Sequence, residues 1–157
     1  MTDIVEKPGI TGEIIAYELK PGTDIIVSEE RGENIICKGG ADAIATAIGV
    51  VGYAMATSCN WMVISTDTTA AARASLSIAP LTAVSAYNVL PVVNNTSPTS
   101  KVTWTYTFAA GGSASIAKFG MQSTAAGGVL FNEYVFSALK DNNTNDLKVI
   151  YTASVAP

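Results

Sequence analysis

Lys101-Val102-Thr103-Trp104-Thr105-Tyr106-Thr107-Phe108, with the chain that runs on from it to Val155, decides the fold. Val102, Trp104, Tyr106 and Phe108 fall on one side and three threonines on the other, the two-residue period of a strand with one face in a core. Three more segments of this kind follow. Residues 115–121 come after Ala109-Ala110-Gly111-Gly112-Ser113, residues 129–136 after Ala125-Ala126-Gly127-Gly128, and residues 147–155 after Asp141-Asn142-Asn143-Thr144-Asn145-Asp146. Four strands at short spacing, punctuated by Gly or Asn clusters, predict an antiparallel meander or sandwich. Gly111-Gly112 and Gly127-Gly128 each lie between strands and precede no helix carrying a phosphate-binding Lys, so they read as hairpin connections.

Working outward, residues 13–19 and 23–28 flank Lys20-Pro21-Gly22 and predict an opening hairpin, because Pro presets the first corner of a turn and Gly tolerates the second. Glu29-Glu30-Arg31-Gly32-Glu33 reads as a solvated turn and residues 34–37 as a short strand. Gly39-Gly40 frees the backbone ahead of a helix over 41–51, with Asp42 in its first turn against the positive end of the helix dipole. Ile44, Ala47, Ile48 and Val51 recur at helical spacing, a face to pack on the sheet. Gly49 and Gly52, each about 1 kcal/mol worse than Ala in a helix, end it. Residues 60–65 read as a strand and 66–75 as a polar link in which Ala70-Ala71-Ala72-Arg73-Ala74 is too short to hold a helical turn alone. Residues 83–90 and 91–93 look extended, with Pro91 at an edge or a bulge, and 94–100 is the most loop-like stretch.

The composition narrows the function classes. A chain of 157 residues suits one domain. It is 48% hydrophobic and only 14% charged, where about a quarter charged is usual. Its surface must therefore be built from Ser, Thr, Asn, Gly and Ala, which favours self-association and suits a subunit of an assembly, or a secreted protein about as well. A net charge of -4 with nine scattered Lys and Arg argues against a nucleic-acid partner. No run reaches the roughly 18 apolar residues of a membrane-spanning helix, so no membrane partner is expected. Residues 1–8 lack a charged-then-apolar leader, and export by a signal peptide is not expected. Residues 1–12, with Pro8 and little apolar pattern, read as an N-terminal docking arm, and residues 13–157 as a single domain.

The residues that carry chemistry are few. Histidine is absent, which removes the commonest general base and metal ligand. Cys37 and Cys59 pair only if their Cα atoms lie within about 7 Å; otherwise they are small buried hydrophobes. Glu29, Glu30, Glu33, Asp141 and Asp146 fall in expected turns. Glu133, flanked by Asn132 and Tyr134 inside a strand, reads as an outward-facing polar residue. The 141–146 stretch is oxygen-rich but lacks the central Gly and closing Glu of a helix-loop-helix calcium site, so it reads as a hairpin turn. Asn94-Asn95-Thr96 and Asn142-Asn143-Thr144 match the glycan acceptor pattern, usable only on a eukaryotic secretory route. Trp61, Trp104, Tyr106, Phe108, Phe119, Phe131, Tyr134 and Phe136 could line a sugar platform, but their alternation turns most of them inward. No catalytic residue, cofactor site or metal site is assigned.

The order of pieces resembles a widespread group of tailed-bacteriophage virion proteins. In the first half the resemblance rests on Asn34-Ile35-Ile36, Gly39-Gly40, the helix, the strand from Trp61 to Ser65 and the Thr/Ala-rich link ending at Leu76. In the second half it rests on the Thr-rich strand, the Ile116 to Met121 strand, Gly127-Gly128-Val129-Leu130, Val135-Phe136 and Asp146-Leu147-Lys148-Val149-Ile150-Tyr151. The chain departs from the group at Lys118, where a Glu is usual, and at Ser65-Thr66-Asp67-Thr68-Thr69, where a Gly-rich turn is usual. The resemblance implies a component of a tail, neck, head fibre or capsid decoration, made in the bacterial host cytoplasm and held in the virion by contacts with copies of itself and with neighbouring proteins. The expected fold is mostly β: a jelly-roll-like, two-layer antiparallel sandwich of seven to nine strands with one short helix. The expected function is structural and not enzymatic. A receptor- or carbohydrate-binding appendage domain, with a host-surface glycan as partner, and a pilus-like extracellular subunit are the alternatives.

Overall fold

The structure, a computed structural model, describes residues 9–49, 61–75, 77–85, 92–94 and 100–156. Along them run β1 (Gly9–Leu19), β2 (Ile26–Ile36), α1 (Lys38–Gly49), β3 (Trp61–Ser65), β4 (Thr82–Ser85), β5 (Val92–Asn94), β6 (Ser100–Phe108), β7 (Ile116–Gln122), β8 (Leu130–Lys140) and β9 (Asp146–Ala156). The strands form one sheet in the order β4-β3-β7-β8-β2-β1-β9-β6-β5, antiparallel at every pairing. Over the described residues the protein is thus mostly antiparallel β with one small helix, as its alternating pattern predicts.

The sheet curls until its two halves face each other. Phe119 of β7 and Tyr151 of β9 are separated by three strands in the sheet order, yet their ring centroids lie 6.1 Å apart. Only a sheet folded over its own inner face brings them together. That face holds the main core, with Met62 and Ile64 of β3, Phe119 and Met121 of β7 and Phe131 and Phe136 of β8 against Ile14 of β1, Phe108 of β6 and Leu147, Val149 and Tyr151 of β9. Trp104 of β6 stacks on Tyr151, its register partner in β9, at 5.4 Å. Each such large side chain stabilises the closure by about 1.5–3 kcal/mol.

The half built from β3, β7 and β8 is covered on its other side as well. Cys37, Val63, Ile78 and Leu130 form a second buried cluster there, with Trp61 and Ala83 packed on it. Every residue of β7 is consequently buried. At Gly120 a Cβ would meet Ile78 Cδ1 at 2.4 Å and the backbone oxygen of Asn132 at 2.8 Å, so only glycine lets the covering segment come this close.

Several expectations are corrected. Residues 29–33 are not a turn, because β2 runs unbroken from Ile26 to Ile36 and pairs with β1 through them. Ser28, Glu30, Gly32 and Asn34 face inward there and Glu29, Arg31 and Glu33 outward, and polar residues on the inner face hide the alternation. The last four strands are no meander. Of them only β7 and β8, and β6 and β9, pair with each other. Gly127-Gly128 does close a hairpin, whereas Gly111-Gly112 and residues 141–146 carry the chain from one half of the sheet to the other. β1 begins at Gly9 and pairs with β9 from there, so residues 9–12 belong to the sheet and not to an arm. α1 starts at Lys38, with no acidic residue in its first turn; Asp42 instead forms an i,i+4 ion pair with Lys38. Ile44 packs on the main core. The expectations for residues 1–8, Val51, Cys59, residues 86–91 and residues 95–99 lie outside the described residues. Among the described residues no helix is long and apolar enough to cross a membrane.

Candidate functional site

The densest polar chemistry lies under the link that follows β3. Lys118 of β7 and Glu133 of β8 are diagonal neighbours on one face, since Lys118 is opposite Val135 and Gly120 opposite Glu133. Their side chains are 2% and 1% exposed. The Lys118 ammonium donates to Asp67 Oδ2 and to Thr69 Oγ1, both at 3.0 Å, and lies 3.1 Å from Glu133 Oε2. That last contact is an ion pair set off the hydrogen-bond direction. The other carboxylate oxygen, Oε1, accepts from the Ala72 backbone N–H at 2.7 Å and from the Ser75 hydroxyl. Ser65 anchors the start of the link by donating to the Ala79 carbonyl and accepting from the Asp67 N–H.

Asp67 is held below the ordinary carboxylate range, first by the Thr69 backbone N–H and then, against the opposing effect of burial, by Lys118 and the Thr69 hydroxyl. Cys37 is a free, buried thiol beside the cluster, with its Sγ 3.7 Å from the Ala72 carbonyl oxygen. Its pKa is pushed up to about 12, by burial first and then by Glu133, with Lys118 opposing. A thiol held protonated in this way is a packing residue at neutral pH, not a nucleophile.

The expectation that Glu133 faces outward is therefore overturned. It faces out of the main core, but the 66–75 link covers it, and a buried carboxylate needs the cation and the two donors it finds there. A signal for this pair is present in the sequence. Within residues 115–121 and 129–136 Lys118 and Glu133 are the only charged side chains, but the register shift between Met121 and Gln122 that sets them on the same face is not legible there.

A second buried pair joins β2 to β8. Lys140 Nζ lies 2.7 Å from Glu30 Oε2, with side chains 6% and 9% exposed, and Glu30 Oε1 accepts from the Tyr134 hydroxyl and the Ser137 N–H. Burial works to raise the Glu30 pKa, but the Lys140 ammonium and the hydrogen bonds from Ser137 and Tyr134 outweigh it and the carboxyl sits below its ordinary value. The Tyr134 hydroxyl is pushed up to about 12 by burial and by Glu30.

Residues 141–146 are a structural knot between the halves. Asn142 is 1% exposed, and its amide donates to the carbonyls of Phe108, Ala109 and Asn145, so its glycan acceptor pattern is sealed inside. Asp141 accepts from Asn143 and Thr144, and Asp146 accepts from Gly22 at 2.9 Å and Ala110 at 2.8 Å. Both carboxyls are held below their usual range, Asp141 by the Thr144 hydroxyl first and then by the Thr144 and Asn143 N–H groups, Asp146 by the N–H of Gly22 and then that of Ala110. Among the described residues no three His, Cys, Asp or Glu side chains converge as a metal shell would need. The aromatics Trp104, Tyr106, Phe108, Phe119, Phe131, Tyr134 and Phe136 belong to the main core or pack on it. No family model, no curated protein and no solved structure matches the chain.

Proposed function

We propose that the chain is a structural subunit that acts through protein–protein contacts with copies of itself and with neighbouring proteins in a bacteriophage particle. The observation that carries this reading is a run of three consecutive apolar side chains on the surface, Ile25, Ile26 and Val27, exposed by 55%, 55% and 52%. Leu139, exposed by 54%, belongs to the same end of the sheet. It lies two residues before Asp141, whose N–H donates to Glu18, and Glu18 is the register partner of Ser28. A surface poor in charge that displays such a run is built for contact with a neighbour. The particle setting rests on the resemblance of the order of pieces to that of tailed-phage virion proteins.

On the same reading the curled sheet is a two-layer, jelly-roll-like sandwich in which β2 serves both layers, pairing with β1 along most of its length and with β8 through Ile35 and Ile36. Burial of the aromatic set against the core weighs against a carbohydrate platform. The chain segment before Gly9 is the proposed docking arm. Light scattering on the purified chain tests the assembly reading: the expected result is an oligomer that dissociates in Ile26→Lys and Val27→Lys variants. A wild-type chain that stays monomeric at the highest soluble concentration refutes it.

A further inference from the structure

The two buried ion pairs differ in a way that bears on chemistry. Lys140 meets one carboxylate, that of Glu30, whereas the Lys118 amine meets two, Asp67 at 3.0 Å and Glu133 at 3.1 Å. These two carboxylates are held differently. Glu133 is fixed from behind by the Ala72 N–H and the Ser75 hydroxyl, which leaves Oε2 against the amine. Asp67 presents Oδ2 to the same amine, while its Oδ1 accepts the Thr69 backbone N–H at 2.9 Å. The Thr69 hydroxyl bridges Lys118 Nζ and Asp67 Oδ2, at 3.0 and 2.9 Å. An amine nucleophile, an acyl group with a donor on its second oxygen, and a second carboxylate thus meet at a site where the amine and the second carboxylate are shielded from water.

We infer that Lys118 and Asp67 condense to an intramolecular amide beside the Glu133 carboxylate. The ammonium passes one proton to Asp67 Oδ2 along the hydrogen bond it already makes, and the free amine attacks the carbon of the carboxyl group so neutralised, one bond beyond that oxygen. As the N–C bond forms, charge gathers on Oδ1, where the Thr69 N–H receives it as an oxyanion donor. Oδ2, which already carries the first proton, takes the second from nitrogen through the Thr69 hydroxyl, while the Glu133 carboxylate beside that nitrogen stabilises the positive charge it bears, and Oδ2 leaves as water. One N–C bond forms, one C–O bond breaks, two protons move from nitrogen to oxygen and no electrons are transferred, so no oxidant or co-reactant is needed. The product is neutral where an ammonium 2% exposed and a carboxylate 30% exposed stood, so condensation removes the cost of keeping the lysine charge out of water. It ties β7 to the link after β3 and locks the covering segment over the second cluster. This inference stands independently of the assembly reading above.

Intact mass of the purified full chain, denatured and reduced, tests it. The expected mass is lower than that of the sequence by one water. Trypsin then fails to cleave after Lys118, and a branched peptide joins Lys118 to Asp67. Lys118→Arg keeps the buried cation and Glu133→Gln keeps the shape; both variants, shown folded by circular dichroism, are expected at the full sequence mass. A folded wild-type chain that holds its full mass on prolonged incubation overturns the inference. So does a water loss that maps to other residues or survives in Lys118→Arg, and a loss that survives in Glu133→Gln removes Glu133 from the role.

Discussion

Replacing Lys140 by Met separates the buried charge of Glu30 from its cation while keeping most of the side-chain volume. Breaking a fully buried pair from one side costs about 3–5 kcal/mol. Glu30 retains two donors, the Tyr134 hydroxyl at 2.9 Å and the Ser137 N–H at 2.6 Å, and the pair is 6% and 9% exposed, so the loss belongs at the lower end, about 3 kcal/mol. Urea unfolding at neutral pH reads it directly. With a slope of about 2 kcal/mol per molar urea, the midpoint falls by about 1.5 M. The pH dependence gives a second, independent reading. The Glu30 carboxyl is held below its ordinary value in the folded protein, so its contribution is fully present above the unfolded carboxylate pKa and is lost as pH falls through the folded one. The gap between wild type and variant is therefore full at neutral pH and closes below about pH 4. In Glu30→Gln, adding Lys140→Met costs much less than in the wild type. A loss under about 1 kcal/mol at neutral pH, or one independent of pH between neutrality and acid, places the pair in the class of solvated surface pairs and refutes the account.

Gly120→Ala forces a methyl against Ile78 and the Asn132 backbone oxygen and is expected to destabilise by about 1–3 kcal/mol, read from the same urea curves. Asn142→Ala removes the amide that donates to Phe108, Ala109 and Asn145; a loss of about 2 kcal/mol is expected, with faster amide hydrogen exchange at Gly111 and Gly112, whose N–H groups bond the Asn142 carbonyl. Unchanged exchange there removes the 141–146 knot from the description of how the halves are joined.

β6 shows where local pattern suffices. Four apolar side chains alternate with threonines, and the strand forms over Ser100–Phe108 with Trp104 and Phe108 turned to the core. β2 shows where it fails. Its inner row holds Ser28, Glu30, Gly32 and Asn34, and the stretch reads as a turn because the partner that makes Glu30 an interior residue, Lys140, lies far along the chain. Gly111-Gly112 and Gly127-Gly128 look alike as sequence, yet one crosses between the halves and the other closes a hairpin. The composition of a turn sets that the chain reverses, not which strand lies beside it.

Glu133 makes the same point for the candidate site. That a lone charge in an apolar strand needs a partner follows from the cost of burying it, and Lys118 is nearby in sequence. That it is buried at all depends on residues 66–75 folding across β7 and β8, where the Ala72 N–H and the Ser75 hydroxyl meet it. From the sequence alone come the strand-rich class, the helix after Gly39-Gly40, the opening hairpin and the inward set of aromatics, because these follow from side-chain period and backbone preference within a few residues. The curling of one sheet onto itself, the burial of Lys118, Glu30 and Asn142, and the meeting of Asp67 with Lys118 were decided by the tertiary structure, because they depend on pairings between strands distant in sequence, whose stability no local stretch encodes.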